Sequence, residues 1–336
     1  MDLQHNSGPR RRAVLAAALA AGLLTPAVAA ADPNRSRACR AIPLPAPAGT
    51  FSTVTGGDPT GRYLVGSVSY PNGPRTAGAM WRDGRFTEID ASSIPNVQID
   101  LHDVNRDGVL VGERMTDYIT FHTDAFTYRG GTFTFLPALR AGDSTEALGI
   151  NSRGDVVGNS SGHGWTPVVW PADQPGTVRV LPMPAGHPGD GRALSIDEDG
   201  SVVGYLSPYP PGTPYLWPAN GKPRPLPVPI GSLGGTAVAI QGGMVAGNVY
   251  DPATNSTVPA LWGLRTGAFR HFTTVRAGVF SVNRKGTLGV SGALVQANGH
   301  VVPVDNGAWV TTVADTGIAA GTTDQFHGKA VRWIGC

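Results

Sequence analysis

Charge is scarce in this chain, and neither sign dominates. The 336 residues include 26 Lys and Arg against 24 Asp and Glu, a formal net charge of +2, and charged residues make up 15% of the total. Typical globular proteins contain about 25%. A chain this close to neutrality lacks the basic surface that attracts nucleic acids or acidic lipids. We therefore expect no nucleic-acid partner.

Long hydrophobic runs are confined to the N-terminus. Three arginines at 10–12 precede an Ala/Leu-rich stretch, Ala13–Ala31, whose last residues fit an A-x-A cleavage site. This pattern predicts a signal peptide over 1–31, similar to a twin-arginine signal; the alternative is a single membrane anchor. No later segment has 18 consecutive apolar residues. We expect secretion, a short linker at 32–38, one domain at 39–336 and no membrane insertion after cleavage.

Amphipathic helical patterns are missing after residue 31, whereas internal repetition is strong. The segment "ALGINSRGDVVGNS" from Ala147 is closely matched by "ALSIDEDGSVVGYL" from Ala193. The glycine that ends the "VVG" step recurs at spacings of 46, 46, 46, 43, 42 and 32 residues. Its positions are Gly66, Gly112, Gly158, Gly204, Gly247, Gly289 (one residue early in its repeat) and Gly321. An aromatic residue recurs in phase, at Trp81, Tyr128, Trp170, Trp217, Trp262 and Trp333.

Each repeat unit contains four strand candidates, here named A to D. Strands A and B are commonly linked by Asn or Asp followed three residues later by Gly, as in Asn151 to Gly154, which favours a type I turn. Prolines such as Pro182 and Pro227 interrupt strand D and place it at a sheet edge. Four strands in about 40–45 residues are typical of a propeller blade. The sequence predicts an all-β, seven-bladed β-propeller.

The seventh unit ends after strand C, and its strand D is missing. The segment "AIPLPAP" from Ala41 resembles the D strands of other units. We therefore expect the N-terminal strand to complete the C-terminal blade. The only two cysteines, Cys39 and Cys336, flank this junction, and an exported chain favours their pairing as a disulfide. The alternative is two thiols that stay free or pair between molecules.

The repeat from Ala147 to Trp170 resembles the repeat of the HAF-repeat proteins, which are extracellular bacterial proteins. The match covers nearly all of the chain after the signal. The His-Ala-Phe tripeptide that names the family is absent, and the nearest match is Asp124-Ala125-Phe126. The resemblance implies secretion and a β-repeat fold. It supplies no catalytic residues.

Motifs of catalysis and metal binding are missing. Asp103-x-Asn105-x-Asp107-Gly108 matches the first half of a calcium loop, but Arg114 stands where the bidentate Glu is needed. A plain turn is the favoured interpretation. The eight histidines show no metal-ligand spacing. We expect a monomer with no catalytic residue, no metal site and no cofactor.

The loops that join strands B and C vary in length, and function concentrates on variable loops above a rigid scaffold. They carry rings able to stack on a sugar or peptide, although such rings also cap blade edges without binding anything. The candidate ligand-binding residues are Tyr70, Tyr118, His122, His163, Trp165, Tyr209, Tyr250 and His327. The sequence thus predicts a secreted, non-catalytic binding or interaction module whose partner is a glycan or a protein.

Two alternatives stay open. The first is an extracellular hydrolase or lyase acting on polysaccharide or peptide, with Asp103, His102 or Asp124 as acid and base groups in the channel or on the loop face. The second is a structural component of the cell surface or wall, in which the repeats supply only a stiff disc.

Overall fold

The structure is a computed structural model. It describes residues 39–71, 76–89, 91, 98–117, 119–162, 164–185, 190–207, 212–305, 307–324 and 328–336. The chain divides into two units, Met1–Arg35 and Ser36–Cys336, and the described residues all lie in the second. Within them every regular element is a β-strand, and no helix is long and apolar enough to cross a membrane.

Seven four-stranded antiparallel sheets form the blades of a β-propeller, as the repeat predicts. Blade 1 contains β2 (Phe51–Gly57), β3 (Tyr63–Ser69), β4 (Thr76–Arg82) and β5 (Arg85–Ile89). Blade 2 contains β6 (Gln98–Val104), β7 (Leu110–Asp117), β8 (His122–Arg129) and β9 (Thr132–Phe135). Blade 3 contains β10 (Ser144–Ile150), β11 (Val156–Ser161), β12 (Trp165–Trp170) and β13 (Arg179–Val180). Blade 4 contains β14 (Gly191–Ile196), β15 (Val202–Leu206), β16 (Thr213–Trp217) and β17 (Arg224–Pro225).

The remaining blades repeat this order, with the N-terminal strand in the last one. Blade 5 contains β18 (Gly235–Gln241), β19 (Met244–Asp251), β20 (Ser256–Gly263) and β21 (Ala268–His271). Blade 6 contains β22 (Val279–Val282), β23 (Leu288–Val290), β24 (Ala293–Val295) and β25 (Val301–Pro303). Blade 7 contains β26 (Trp309–Val313), β27 (Ala319–Thr322), β28 (Ala330–Ile334) and β1 (Arg40–Pro43). The strand order runs from A at the inner edge to D at the outer edge of every blade.

The "VVG" glycine allows strand B to lie against the backbone of strand A. A Cβ atom built at Gly158 would lie only 1.9 Å from the Glu146 carbonyl oxygen, and at Gly112 only 2.0 Å from that of Asp100. Real side chains do not tolerate such distances, so only glycine fits. The predicted A–B turn is also present, because Gly154 has φ +90° and its amide donates to the Asn151 carbonyl.

Between blades, apolar faces of strands A to C pack into clusters that hold residues of two neighbouring sheets. One such cluster joins Val203 and Leu216 of blade 4 to Val245 and Trp262 of blade 5. Burial of this kind is the main stabilising contribution in a repeat whose units cannot cover their own faces. The core therefore lies between the blades.

The ring closes as predicted. Strand β1 pairs antiparallel with β28, with Arg40 opposite Ile334 and Pro43 opposite Val331. Cys39 and Cys336 form a disulfide, with their Cα atoms 4.6 Å apart. Disulfides persist in oxidising compartments, so this bridge indicates a location outside the cytoplasm.

Candidate ligand-binding site at the channel mouth

The seven A strands surround a central channel. A β-bulge interrupts each of them at the same place and turns one side chain into the channel. The bulge residues are apolar in blades 3 to 6 and polar in blades 7, 1 and 2, so the lining is asymmetric. They are Thr55, His102, Leu148, Leu194, Val238, Phe280 and Thr311. The cavity that these residues line has a volume of about 170 Å³ and extends to the A–B turns, where Pro59, Asn151 and Glu198 line it.

His102 is the one ionisable side chain among these seven bulge residues, and it is paired. Its Nε2 lies 2.7 Å from Oε2 of Glu113 on the neighbouring strand β7. A carboxylate accepts hydrogen bonds, so this contact places a proton on Nε2. Burial of His102 lowers its pKa, but the hydrogen bond and charge of Glu113, with the charges of Asp100 and Glu146, outweigh burial and raise the pKa.

Glu146 and Arg192 extend this charged cluster across blades 3 and 4. They occupy equivalent positions on neighbouring A strands and form an ion pair, and Glu146 also accepts a hydrogen bond of 2.9 Å from Asn159. The Arg192 guanidinium lies over the indole of Trp165, 4.3 Å from the ring centroid, in a cation–π contact. Trp165, predicted to bind ligand, therefore lies in contact with the cluster.

Asp100 gives the cluster an excess of negative charge. It lies directly opposite Glu113 in the β6–β7 ladder, and like charges in that position destabilise a sheet. Burial raises the pKa of Asp100, Gln98 lowers it through a hydrogen bond and the charge of Glu113 raises it further. Burial also raises the pKa of Glu146, against the charge of Arg192. Three carboxylates thus share one guanidinium and one imidazole.

The cluster includes four charged residues that sequence reasoning missed: Asp100, Glu113, Glu146 and Arg192. A signal was present, because aligning the repeats places Asp100, Glu146 and Arg192 at one strand A position. The other blades have uncharged residues there: Thr53, Thr236, Gly278 and Trp309. A position that changes character in three adjacent repeats is not required by the fold that all seven repeats share.

Asp103 lines the channel but makes contacts within the fold. Its Oδ1 accepts the amide of Val104 at 2.8 Å, and its Oδ2 accepts the amide of Ile150 in blade 3 at 3.1 Å. The hydroxyl of Ser195 accepts the corresponding amide, that of Ile240, between blades 4 and 5. Burial raises the pKa of Asp103 to about 7, against these two backbone hydrogen bonds. Asp103 therefore links two blades.

Asp124, the third residue considered as an acid or base, is held on strand β8. Its Oδ2 accepts from Arg114 Nε at 2.9 Å, and the Arg114 guanidinium covers the ring of Phe135 at 3.9 Å. His122 lies beside this pair, with Nε2 3.4 Å from Asp124 Oδ1 and Nδ1 3.2 Å from the hydroxyl of Ser144. These contacts join blades 2 and 3.

Two other ring residues predicted to bind ligand on the loop face, Tyr70 and Tyr250, form hydrogen bonds with residues outside the charged cluster. The hydroxyl of Tyr70 donates to Glu88 at 2.5 Å, and that of Tyr250 donates to Asn255 at 2.6 Å within the β19–β20 hairpin. Their role in ligand binding stays a prediction. The remaining four lie outside the described residues: Tyr118, His163, Tyr209 and His327.

The segment that resembles a calcium loop is a turn. Asn105 Oδ1 accepts the amides of Asp107 at 3.1 Å and Val109 at 3.0 Å, so the oxygen is used inside the turn. In the described part of the chain, no three His, Cys, Asp or Glu side chains are arranged to hold a metal ion.

These features define the protein as a seven-bladed β-propeller whose ring is closed by its N-terminal strand. No protein-family model matches the chain, and no curated protein matches it. The propeller domain of the Trilobed protease from Pyrococcus furiosus is similar in fold, with a TM-score of 0.53, 12% identity, and coverage of 85% of this chain and 96% of that domain.

Two further structures match this chain at lower similarity. TolB from Acinetobacter baumannii matches with a TM-score of 0.45 and 10% identity, covering 81% of this chain and 79% of that one. A gluconolactonase from Xanthomonas campestris matches with a TM-score of 0.41 and 16% identity, covering 88% and 89%. The likeness to the Trilobed protease domain, at 12% identity, shows the fold alone.

Proposed function

We propose that this protein is an exported, extracellular and non-catalytic binding module whose ligand lies at the channel mouth on the face of the B–C and D–A loops. The observation that carries the proposal is the charged cluster of Asp100, His102, Glu113, Glu146 and Arg192. It interrupts an otherwise repeated pattern, and it lies beside Trp165. Function in a repeat scaffold is expected where the repeats differ.

Export is supported by two independent features. The disulfide between Cys39 and Cys336 fits an oxidising compartment. The arginines at 10–12 and the apolar stretch that follows fit a cleavable signal. The resemblance to the HAF-repeat proteins agrees with both, and it stays a prediction.

A hydrolase or lyase is the second candidate, and one contact favours it. The 2.7 Å pair of His102 and Glu113 has the geometry of a base held by a carboxylate, and His102 lines the channel cavity. The two other groups considered for acid–base roles, Asp103 and Asp124, are engaged by backbone amides and by Arg114. Neither of these two carboxyls is therefore free to act as the second acid or base beside His102, whereas a binding role needs no such group.

An array of defined oligosaccharides and peptides, probed with the full-length exported protein, tests the proposal. We expect retention on at least one class of compound, weakened in Trp165→Ala and Glu113→Gln and unchanged in Asp107→Asn, which alters the A–B turn on the opposite face. Mass spectrometry of the retained compounds should show no cleavage. A shortened product that disappears in His102→Gln would establish the hydrolase or lyase instead.

A further inference from the structure

Two pairs of aliphatic and aromatic side chains stand exposed on the loop face. Ile119 and Phe121, in the B–C turn of blade 2, are 89% and 68% exposed. Ile230 and Leu233, in the D–A link from blade 4 to blade 5, are 100% and 69% exposed. Single exposed apolar residues are ordinary, but paired ones on the face of a candidate site indicate an interaction surface.

Both pairs are fixed by local hydrogen bonds. Asp117 Oδ1 accepts the amide of Ile119 at 2.7 Å, and Phe121 has a positive φ of 54°, which is rare for a bulky residue. In the second link, the hydroxyl of Ser232 donates to the Tyr250 carbonyl oxygen at 2.6 Å. The backbone of each loop is therefore anchored close to its exposed pair.

The charged cluster lies between the two pairs in the order of the blades. It occupies strands A and B of blades 2 to 4, while the apolar pairs belong to blade 2 and to the link that enters blade 5. The cluster places the three carboxylates of Asp100, Glu113 and Glu146 against the single guanidinium of Arg192 and the imidazole of His102, so negative groups outnumber positive ones. A ligand that matches this face would carry a positive charge flanked by apolar groups.

We propose that this face docks a segment of a partner protein in which lysine or arginine side chains alternate with apolar ones. The inference rests on the proposed binding function and names its ligand. A peptide is favoured over a glycan because three of the four exposed side chains, Ile119, Ile230 and Leu233, are aliphatic and offer no ring for a sugar to stack on. Phe121 is the one exposed ring among the four, and the Trp165 ring is covered by the Arg192 guanidinium. The basic side chains enter the charged mouth, and the apolar ones cover the two exposed pairs.

Fluorescence anisotropy with a labelled Leu-Lys-Leu-Lys-Leu-Lys peptide tests the inference. We expect saturable binding that weakens as salt rises from 0.05 to 0.5 M, since screening shortens the reach of the carboxylates to about 4 Å at the higher concentration. Asp100→Asn should weaken binding by about fivefold and Asp107→Asn, on the opposite face, should not. The pair Ile230→Ser with Leu233→Ser should weaken it by about tenfold, while Val180→Ser on an outer strand should not.

Four outcomes would contradict the inference. If the peptide with every lysine acetylated bound as tightly as the unmodified peptide, charge would play no role in binding. Binding of glucosamine tetrasaccharide without binding of the peptide would overturn the inference and leave the proposed binding function intact. Concentration-dependent dimers that disappear in Ile230→Ser would show that a second copy of this chain covers the face. Cleavage of the peptide, abolished in His102→Gln, would overturn both the inference and the non-catalytic function.

Discussion

At the scale of single residues, one hydrogen bond explains why an aromatic residue recurs at the end of strand C. The indole Nε1 of Trp170 donates to the carbonyl oxygen of Pro137 at 2.8 Å, and Trp217 donates to Pro182 at 2.8 Å. Trp262 donates in the same way to Pro227 at 2.7 Å. Each acceptor follows strand D of the preceding blade. The tryptophan thus fills the core between two blades and bonds the edge of its neighbour.

Trp170→Phe should lower the free energy of unfolding by about 1–3 kcal/mol, because the Pro137 carbonyl loses its donor and a smaller ring fills the space. Urea unfolding followed by circular dichroism measures the change. Tyr128→Phe is the matched control, since Tyr128 ends strand C of blade 2 and makes no side-chain hydrogen bond within the described residues. Its change should stay below about 0.5 kcal/mol. Equal losses in both variants would show that the hydrogen bond of Trp170 to Pro137 does not stabilise the fold.

Asp103 should make stability depend on pH. Burial raises its pKa from 3.8 to about 7, so between these values the folded state holds a proton that the unfolded state has lost. Stability therefore falls as pH rises through this window, by at most about 1.4 kcal/mol per pH unit, and the contribution is constant above it. Asp103→Asn keeps an acceptor for the Ile150 amide and removes the titration. Urea unfolding at pH 4 to 8 should give a flatter profile for the variant, and parallel profiles would contradict this assignment.

At the scale of strands, the bulge in strand A and the glycine in strand B act together to direct one side chain into the channel. The bulge shifts the register between Ala147 and Gly149, and Gly158 lies opposite Ala147 at that point. This arrangement turns Leu148 into the channel while Ala147 and Ile150 stay in the core. The bulge recurs in every blade, and a glycine lies opposite it in all but blade 6, where Val290 lies opposite Val279. The channel lining is therefore free to vary without loss of packing.

Gly158→Ala should lower stability by several kcal/mol, because the new methyl group would overlap the Glu146 carbonyl and force strands A and B apart. Thermal unfolding of the variant measures the loss. Gly278→Ala is the control, since a Cβ there meets nothing closer than a ring carbon of Phe280 at 3.9 Å. A Gly158→Ala protein as stable as the control would show that the two strands adjust at little cost.

At the scale of the whole molecule, the repeated features were predictable and the site was not. Spacing of the "VVG" glycines gave seven blades, and the missing last strand D gave the closure by residues 40–43. These follow from a local pattern that every blade must satisfy. The pairing of Glu146 with Arg192 and the contact of Arg192 with Trp165 depend on which side chains meet across neighbouring blades. That information appears only when the repeats are placed side by side in three dimensions.

The ring as a whole depends on one junction between the chain ends. The Cys39–Cys336 disulfide spans 297 residues. Strand β1 is otherwise held by its four-residue ladder with β28 and by a hydrogen bond from the Leu44 amide to the Ala330 carbonyl oxygen. Cys39→Ser with Cys336→Ser should lower the free energy of unfolding by about 2–5 kcal/mol. Hydrogen exchange should accelerate first in β1. Strand β21, an outer strand joined to its blade by a hairpin, is the internal control and should keep its protection. Equal loss in β1 and β21 would show that the bridge stabilises the blades generally and does not act by holding the ring closed.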